Sequence, residues 1–143
     1  MIELERIITV DRPATAVVGY LADFCNAEEW DSGTRACTRL DEGPVKVGSR
    51  WRNISEFRGR ETELQYTLVR SDPRHLTFTG ENKTVTSIDD LSFDDEGTRT
   101  RIRYLAQFRF KGIAVLAEPF VKRSLKKLAD DTVEQMKLVL DQR

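Results

Sequence analysis

The sequence is poor in the residues that build metal centres and disulfide frameworks. It has one histidine, His75, and two cysteines, Cys25 and Cys37, which are too far apart for a Cys-x-x-Cys pair. A structural zinc site takes about four Cys or His ligands, so these residues exclude one. We expect no metal and no other cofactor, although a metal site built from carboxylates alone stays formally open.

Long apolar runs and an excess of one charge are also missing. No segment approaches the roughly 18 apolar residues of a membrane-spanning helix, and residues 1–6 carry charges where a signal peptide requires an apolar run. The 23 Lys and Arg against 24 Asp and Glu give a formal net charge of −1, without the positive field of a nucleic-acid-binding protein. We expect a cytoplasmic protein with reduced thiols that neither inserts into membranes nor binds nucleic acid.

The length and composition are those of one globular domain. The chain has 143 residues, 39% hydrophobic and 33% charged, which is one domain on a prior of roughly 150 residues per domain. It contains no internal repeat, low-complexity tract or linker-like stretch. We therefore predict a single domain over residues 1–143, large enough to form a core without cross-links.

The pattern of apolar residues and turns predicts the order of elements. Residues 2–10 are rich in β-forming residues, and the proline at position 13 suits a helix start. Short helical segments should follow as far as Trp30, and Asp31-Ser32-Gly33 ends them. Residues 35–110 consist of strand-length runs separated by Gly, Pro and Asp turns, which predicts a series of hairpins.

The last stretch, residues 113–140, carries an apolar stripe at helical spacing and predicts a long amphipathic helix. Pro119 lies within it and should cause a kink or a restart. The order is a strand, short helices, about six antiparallel strands and a long helix on the apolar face of the sheet. This predicts an α+β fold.

Alternation assigns the faces of two hairpins. A turn at residues 58–59 pairs Phe57 with Arg60, which gives an apolar face composed of Trp51, Asn53, Leu64, Tyr66 and Leu68. A turn centred on Asp95-Glu96 gives a second inner face composed of Val85, Ser87, Asp89, Leu91, Phe93, Thr100, Ile102, Tyr104, Ala106, Phe108 and Phe110. The arginines at 99, 101, 103 and 109 then face outward.

Several short motifs resemble a known family in their order and spacing over nearly the whole chain. They are Val10-Asp11-Arg12-Pro13, Tyr20-Leu21-Ala22-Asp23-Phe24, Glu29-Trp30-Asp31, Gly43-Pro44-Val45-Lys46-Val47-Gly48-Ser49-Arg50-Trp51, Asp72-Pro73-Arg74-His75-Leu76, Gly97-Thr98-Arg99-Thr100, and Gly112 with Pro119. The chain resembles the polyketide cyclase/dehydrase-type members of the START-like (SRPBCC) superfamily. The resemblance implies a helix-grip fold, in which a curved antiparallel sheet of about seven strands wraps around the C-terminal helix. It also implies a cavity between sheet and helix for an apolar or amphipathic molecule.

The resemblance implies no particular reaction, because the superfamily includes cyclases, dehydratases, lipid and steroid carriers and hormone receptors. Asp89 and Tyr104 are the candidate catalytic residues, since a buried carboxylate without a counter-charge acquires a raised pKa. The alternative is that a bulge or a place at the rim exposes Asp89 to solvent. Arg6, in phase with the inner face of the first strand, is a candidate charge partner.

Aromatic and apolar residues of the inner faces are candidates for ligand binding, with core packing as the alternative for each. The candidates are Trp51, Asn53, Leu64, Tyr66, Leu68, Leu91, Ile102 and Phe108 from the sheet, and Leu116, Phe120 and Leu128 from the helix. His75 should face outward because Leu76 and Phe78 face in. The arginine row and the cysteines are interpreted as a solvated face and as packing residues.

Three hypotheses follow for the function. The first is binding of an apolar or aromatic, lipid- or polyketide-like small molecule by a monomer or homodimer. The second is a cofactor-independent cyclase or dehydratase that acts on such a ligand. The third is an interaction or stress-response module with a vestigial cavity. An open cavity of several hundred cubic ångströms would favour the first two.

Overall fold

Seven strands and three α-helices follow one another in the computed structural model, which describes residues 1–143. The elements are β1 (Ile2–Val10), α1 (Ala14–Ala22), a 3-10 turn (Phe24–Asn26), α2 (Ala27–Trp30), β2 (Thr34–Arg39), β3 (Arg50–Phe57), β4 (Arg60–Asp72), β5 (His75–Glu81), β6 (Val85–Asp95), β7 (Thr100–Phe110), a second 3-10 segment (Gly112–Ala117) and α3 (Glu118–Asp141).

All strands belong to one antiparallel sheet with the order β1-β7-β6-β5-β4-β3-β2. Strands β2 to β7 pair with their neighbours along the chain, and β1 joins the far edge beside β7. The long helix α3 packs on the inner face of this sheet, mainly against β1, and also against α2. The predicted α+β helix-grip architecture is confirmed.

The predicted β3–β4 register is confirmed residue by residue. Phe57 pairs with Arg60, Trp51 with Tyr66 and Asn53 with Leu64. The two turn residues, 58 and 59, both have positive φ, 53° and 76°. This is the backbone of a two-residue hairpin turn whose twist matches that of the strands, and a glycine in the second place adopts it without steric cost.

The β6–β7 hairpin has the predicted faces but a different turn. Asp95 pairs with Thr100, so the turn is centred on Gly97 and Thr98, two residues beyond the expected position. A displacement by two residues preserves the face of every side chain, because side chains in a strand alternate with period two. Asp89 is therefore on the inner face, beside Ala106, and the exposed alternative is wrong.

Helix α3 begins at Glu118, with Pro119 in its first turn, where the missing N–H costs nothing. Pro119 thus marks a restart after the 3-10 segment and causes no kink. The buried face of α3 is composed of Leu125, Ala129, Thr132, Val133, Met136 and Leu140. Two residues that we assigned to this face are instead exposed: Leu116 and Phe120 are each 74% exposed. At about 100° per residue, Phe120 points almost opposite to Ala129, and Leu116 precedes the helix.

An aromatic cluster fills one half of the concave face. The ring of Phe24 stacks on Tyr66 with centroids 4.3 Å apart and lies 4.8 Å from Phe78. Trp30 and Trp51 complete the cluster at 5.9 Å and 6.1 Å from Phe24. Helix α1, the first 3-10 turn and α2 thereby close this half of the sheet. The open space lies in the other half, under the first turns of α3.

Candidate functional site

A cavity of about 200 Å³ lies between the sheet and the N-terminal half of α3. Its walls come from the ends of β3 and β7, the starts of β4 and β6, the α2–β2 loop and α3. The lining residues are Asp31, Gly33, Ser55, Glu56, Phe57, Thr62, Leu64, Tyr66, Thr84, Val85, Ser87, Asp89, Tyr104, Ala106, Phe108, Phe110, Leu125, Leu128, Ala129 and Thr132.

The structure brings some of the sequence-predicted residues together around this cavity. Those in its lining are the pair Asp89 and Tyr104, with Leu64, Tyr66, Phe108 and Leu128. They share a wall because the confirmed registers place their side chains on the concave face, in the half of the sheet that the aromatic cluster leaves open.

Other predicted ligand-binding residues lie outside the cavity. Trp51, Leu68, Leu91 and Ile102 are completely buried in the main core, under the elements that carry the aromatic cluster. The Trp51 Nε1 donates a hydrogen bond to Asp23 Oδ1 at 3.3 Å. These side chains have the predicted face, but protein atoms already cover them, so their assignment to the ligand site is corrected to core packing.

Asn53 also lies outside the lining, because its amide is used within the protein. Its Nδ2 donates to Thr34 Oγ1 at 3.0 Å, and its Oδ1 accepts from Ser55 Oγ at 2.6 Å. The two helix candidates Leu116 and Phe120 are exposed and line no part of the cavity. Asn53 is therefore a structural hydrogen-bonding residue.

Asp89 is the most deeply buried carboxylate of the cavity wall, with 5% of the residue exposed. The Tyr104 hydroxyl donates to its Oδ1 at 2.9 Å. Burial, with a smaller contribution from the nearby charge of Asp31, raises the pKa of Asp89 to about 7. Arg6 is not its charge partner, since Arg6 Nε pairs with Asp130 Oδ1 at 2.6 Å on the outer side of α3. A carboxyl with this pKa can take up or release a proton near neutral pH.

Asp31 is a site residue that the sequence pattern did not single out. Its carboxylate accepts hydrogen bonds from the backbone N–H of Gly33 at 3.1 Å, from Thr34 Oγ1 at 2.8 Å and from Thr132 Oγ1 at 3.2 Å. Burial nevertheless raises its pKa above the ordinary value. The available signal was Thr132, a buried polar residue in the otherwise apolar stripe of α3, which calls for a polar partner on the facing loop.

The outward-facing groups are arranged as predicted. His75 lies on the outer face, where its Nε2 contacts the carboxylate of Asp90 at 2.5 Å. The arginines of β7 form ion pairs with acidic neighbours: Arg99 with Asp11, Arg101 with Asp94 and Arg103 with Glu5. This row is a charge-balanced, solvated face.

The cysteines pack within the protein. Both are unpaired thiols, and burial raises the pKa of Cys37 to about 12, which makes it a poor nucleophile. No three His, Cys, Asp or Glu side chains come close enough to one another to hold a metal ion. Neither α3 nor any shorter helix combines the length and apolar character needed to cross a bilayer.

A sheet that grips a C-terminal helix over an internal cavity defines a helix-grip protein of the START type. The chain belongs to the polyketide cyclase/dehydrase and lipid transport family, whose model matches residues 1–141. No curated protein matches it in sequence.

Solved structures share the fold at low sequence identity. A START superfamily protein from Mycobacterium smegmatis is similar with a TM-score of 0.80 and 14% identity, over 98% of this chain and 97% of that one. For TTHA0849 from Thermus thermophilus the values are 0.78 and 11%, over 95% and 94%. For the Zhui aromatase/cyclase from Streptomyces sp. R1128 they are 0.70 and 18%, over 96% and 95%. These likenesses establish the fold and leave the ligand open.

Proposed function

We propose that the protein binds a small apolar or aromatic molecule in the cavity between the sheet and α3. The observation that carries this proposal is the open volume of about 200 Å³, bounded largely by apolar and aromatic side chains. Removing apolar ligand surface from water provides the affinity, and the hydroxyls and carboxylates of the wall orient the ligand. The open volume favours this function over an interaction module with a vestigial cavity.

The volume also limits the size of the ligand. An apolar cavity of roughly 150 Å³ admits benzene, whereas pockets for drug-sized ligands have about 300–1,000 Å³. A cavity of about 200 Å³ accordingly accepts one ring with a short substituent. A steroid or a fatty acyl chain requires α3 to move outward.

Calorimetric unfolding in the presence of 2-phenylethanol and of indole tests the proposal. A ligand at 100 times its Kd stabilises the fold by about 2.7 kcal/mol, which raises Tm by several degrees at roughly 2–4 °C per kcal/mol. The variant Ala129→Leu fills the cavity from α3 and should lose this shift. Ala117→Leu adds the same atoms at an exposed position just before α3 and should retain it. Equal shifts in both variants, or none in the wild type, would contradict the proposal.

A second candidate function is a cofactor-independent cyclase or dehydratase, favoured by the contact between Tyr104 and Asp89 inside the cavity. In this reaction Asp89 transfers protons to and from the bound ligand, and the walls hold the ligand in a reactive conformation. Once a substrate is known, Asp89→Asn should abolish turnover and leave binding nearly unchanged. Turnover that survives this substitution would remove Asp89 from the chemistry.

A further inference from the structure

The cavity is lined by three carboxylates and by no cation. Asp31, Glu56 and Asp89 are in its wall, and none of the lining residues is lysine, arginine or histidine. Only Glu56 has a counter-charge: its Oε2 lies 3.4 Å from Arg35 Nε, where both side chains are about half exposed. The cavity interior therefore carries negative charge from Asp31 and Asp89 that the protein does not neutralise by an ion pair.

Asp89 has unused hydrogen-bonding capacity directed at this space. It is 95% buried (5% exposed), and its single protein hydrogen bond is the one that Oδ1 accepts from Tyr104. Its Oδ2 has no protein donor, yet it is not among the sealed, unpartnered atoms of the core, and Asp89 is in the cavity wall. A buried carboxylate accepts several hydrogen bonds when they are available. An oxygen left free in such a place indicates a donor that comes from the ligand.

Aromatic rings surround the same space. Those in the lining are Phe57, Tyr66, Tyr104, Phe108 and Phe110. The face of an aromatic ring carries negative charge density and attracts cations as well as apolar groups. Rings together with an unpaired carboxylate form a site suited to a positively charged group on an apolar body.

We propose that the ligand of this cavity is a small aromatic amine or other cyclic amine, bound as its ammonium ion with the nitrogen donating to Asp89 Oδ2. The inference rests on the proposed binding function and specifies the charge of the ligand. A carboxylate ligand, such as a fatty acid or an aryl acid, is disfavoured because it would meet Asp31 and Asp89 without a cation between them.

Three compounds with the same ring and nearly the same size separate the effects of charge and of apolar burial. They are 2-phenylethylamine (cation), 2-phenylethanol (neutral) and phenylacetate (anion), titrated calorimetrically into the intact protein at pH 8. We expect the amine to bind at least tenfold more tightly than the alcohol, and phenylacetate to bind more weakly than the alcohol. If the amine binds no more tightly than the alcohol, the inference is overturned while the binding function stands. If none of the three binds, the binding function fails as well.

Two variants on one strand locate the charge that is responsible. Asp89→Asn keeps the shape of the side chain and removes its charge, so the affinity for the amine should fall to that for the alcohol. Asp90→Asn removes a charge from the next residue of β6, which faces the outer surface beside His75, and should retain the preference. Tight amine binding that persists in Asp89→Asn would overturn the inference.

The same pair of ligands gives a pH test. The titratable groups that face Asp89 are Asp31, Tyr66 and Tyr104, with Glu56 in the same lining. Because the pKa of Asp89 is about 7, only a minor fraction is ionised at pH 6 and most is ionised at pH 8. The affinity for the amine should rise about tenfold over this interval, in proportion to the competent fraction, and the affinity for the alcohol should stay constant. An amine affinity that is independent of pH would contradict the role of Asp89.

Discussion

Tyr66 and Gly80 are paired across β4 and β5, and the Tyr66 ring lies directly on the glycine. A Cβ at position 80 would be 2.5 Å from two atoms of that ring, closer than carbon atoms approach without strain. The ring is held from the other side by Phe24 at 4.3 Å. The absence of a side chain at Gly80 thus fixes the position of Tyr66 in the wall between the filled and the open halves of the sheet.

Gly80→Ala should displace the Tyr66 ring and destabilise the protein by about 1–3 kcal/mol, the usual cost of overpacking a core. Gly19→Ala is the matched control, because position 19 lies on the exposed side of α1 with no atom within 4 Å of the added Cβ. It should stabilise the protein by roughly 0.5–1 kcal/mol, since alanine is the better helix former. Urea unfolding of both variants measures these changes, and equal effects would contradict the packing described for Tyr66.

At the scale of elements, the sequence predicted strands and their faces better than the beginning of the last helix. The β3–β4 register followed from one turn and from alternation, since a slip of one residue would expose the whole apolar face. For α3, Leu116 and Phe120 satisfied the apolar pattern. The 3-10 segment before Glu118 changes the angular relation between them and the rest of the stripe, and this change depends on tertiary packing.

The two ends of α3 should respond differently to truncation of a large side chain. Met136 is completely buried in the main core, whereas Phe120 is 74% exposed. Met136→Ala should cost about 2–5 kcal/mol through lost packing and a residual cavity, and Phe120→Ala should change stability by less than about 0.5 kcal/mol. Chemical unfolding of the two variants measures the difference. A cost of several kcal/mol for Phe120→Ala would show that the first turn of α3 is covered in solution.

For the whole molecule, the sequence placed the concave face correctly but not the part of it that remains open. Trp51, Leu91 and Ile102 have the predicted orientation and are still excluded from the cavity, because Phe24 and Trp30 pack over that half of the sheet. Which half is filled depends on how α1 and α2 dock, and local patterns do not encode this. Asp31 escaped prediction for the same reason, since it reaches the cavity only through the packing of its loop against Thr132 of α3.

The buried charge of Asp89 should make the stability of the whole protein depend on pH. An unfolded aspartate ionises near pH 3.9, whereas the pKa of Asp89 in the fold is about 7. Ionisation of Asp89 therefore favours unfolding between these values, and the effect is complete above pH 7. The stability advantage of Asp89→Asn over the wild type should grow by about 2–3 kcal/mol from pH 5 to pH 8 in chemical unfolding experiments. Asp94→Asn, on an exposed side chain of the same strand, should show no such growth, and a constant advantage for Asp89→Asn would mean that the carboxyl ionises in the fold as it does in water.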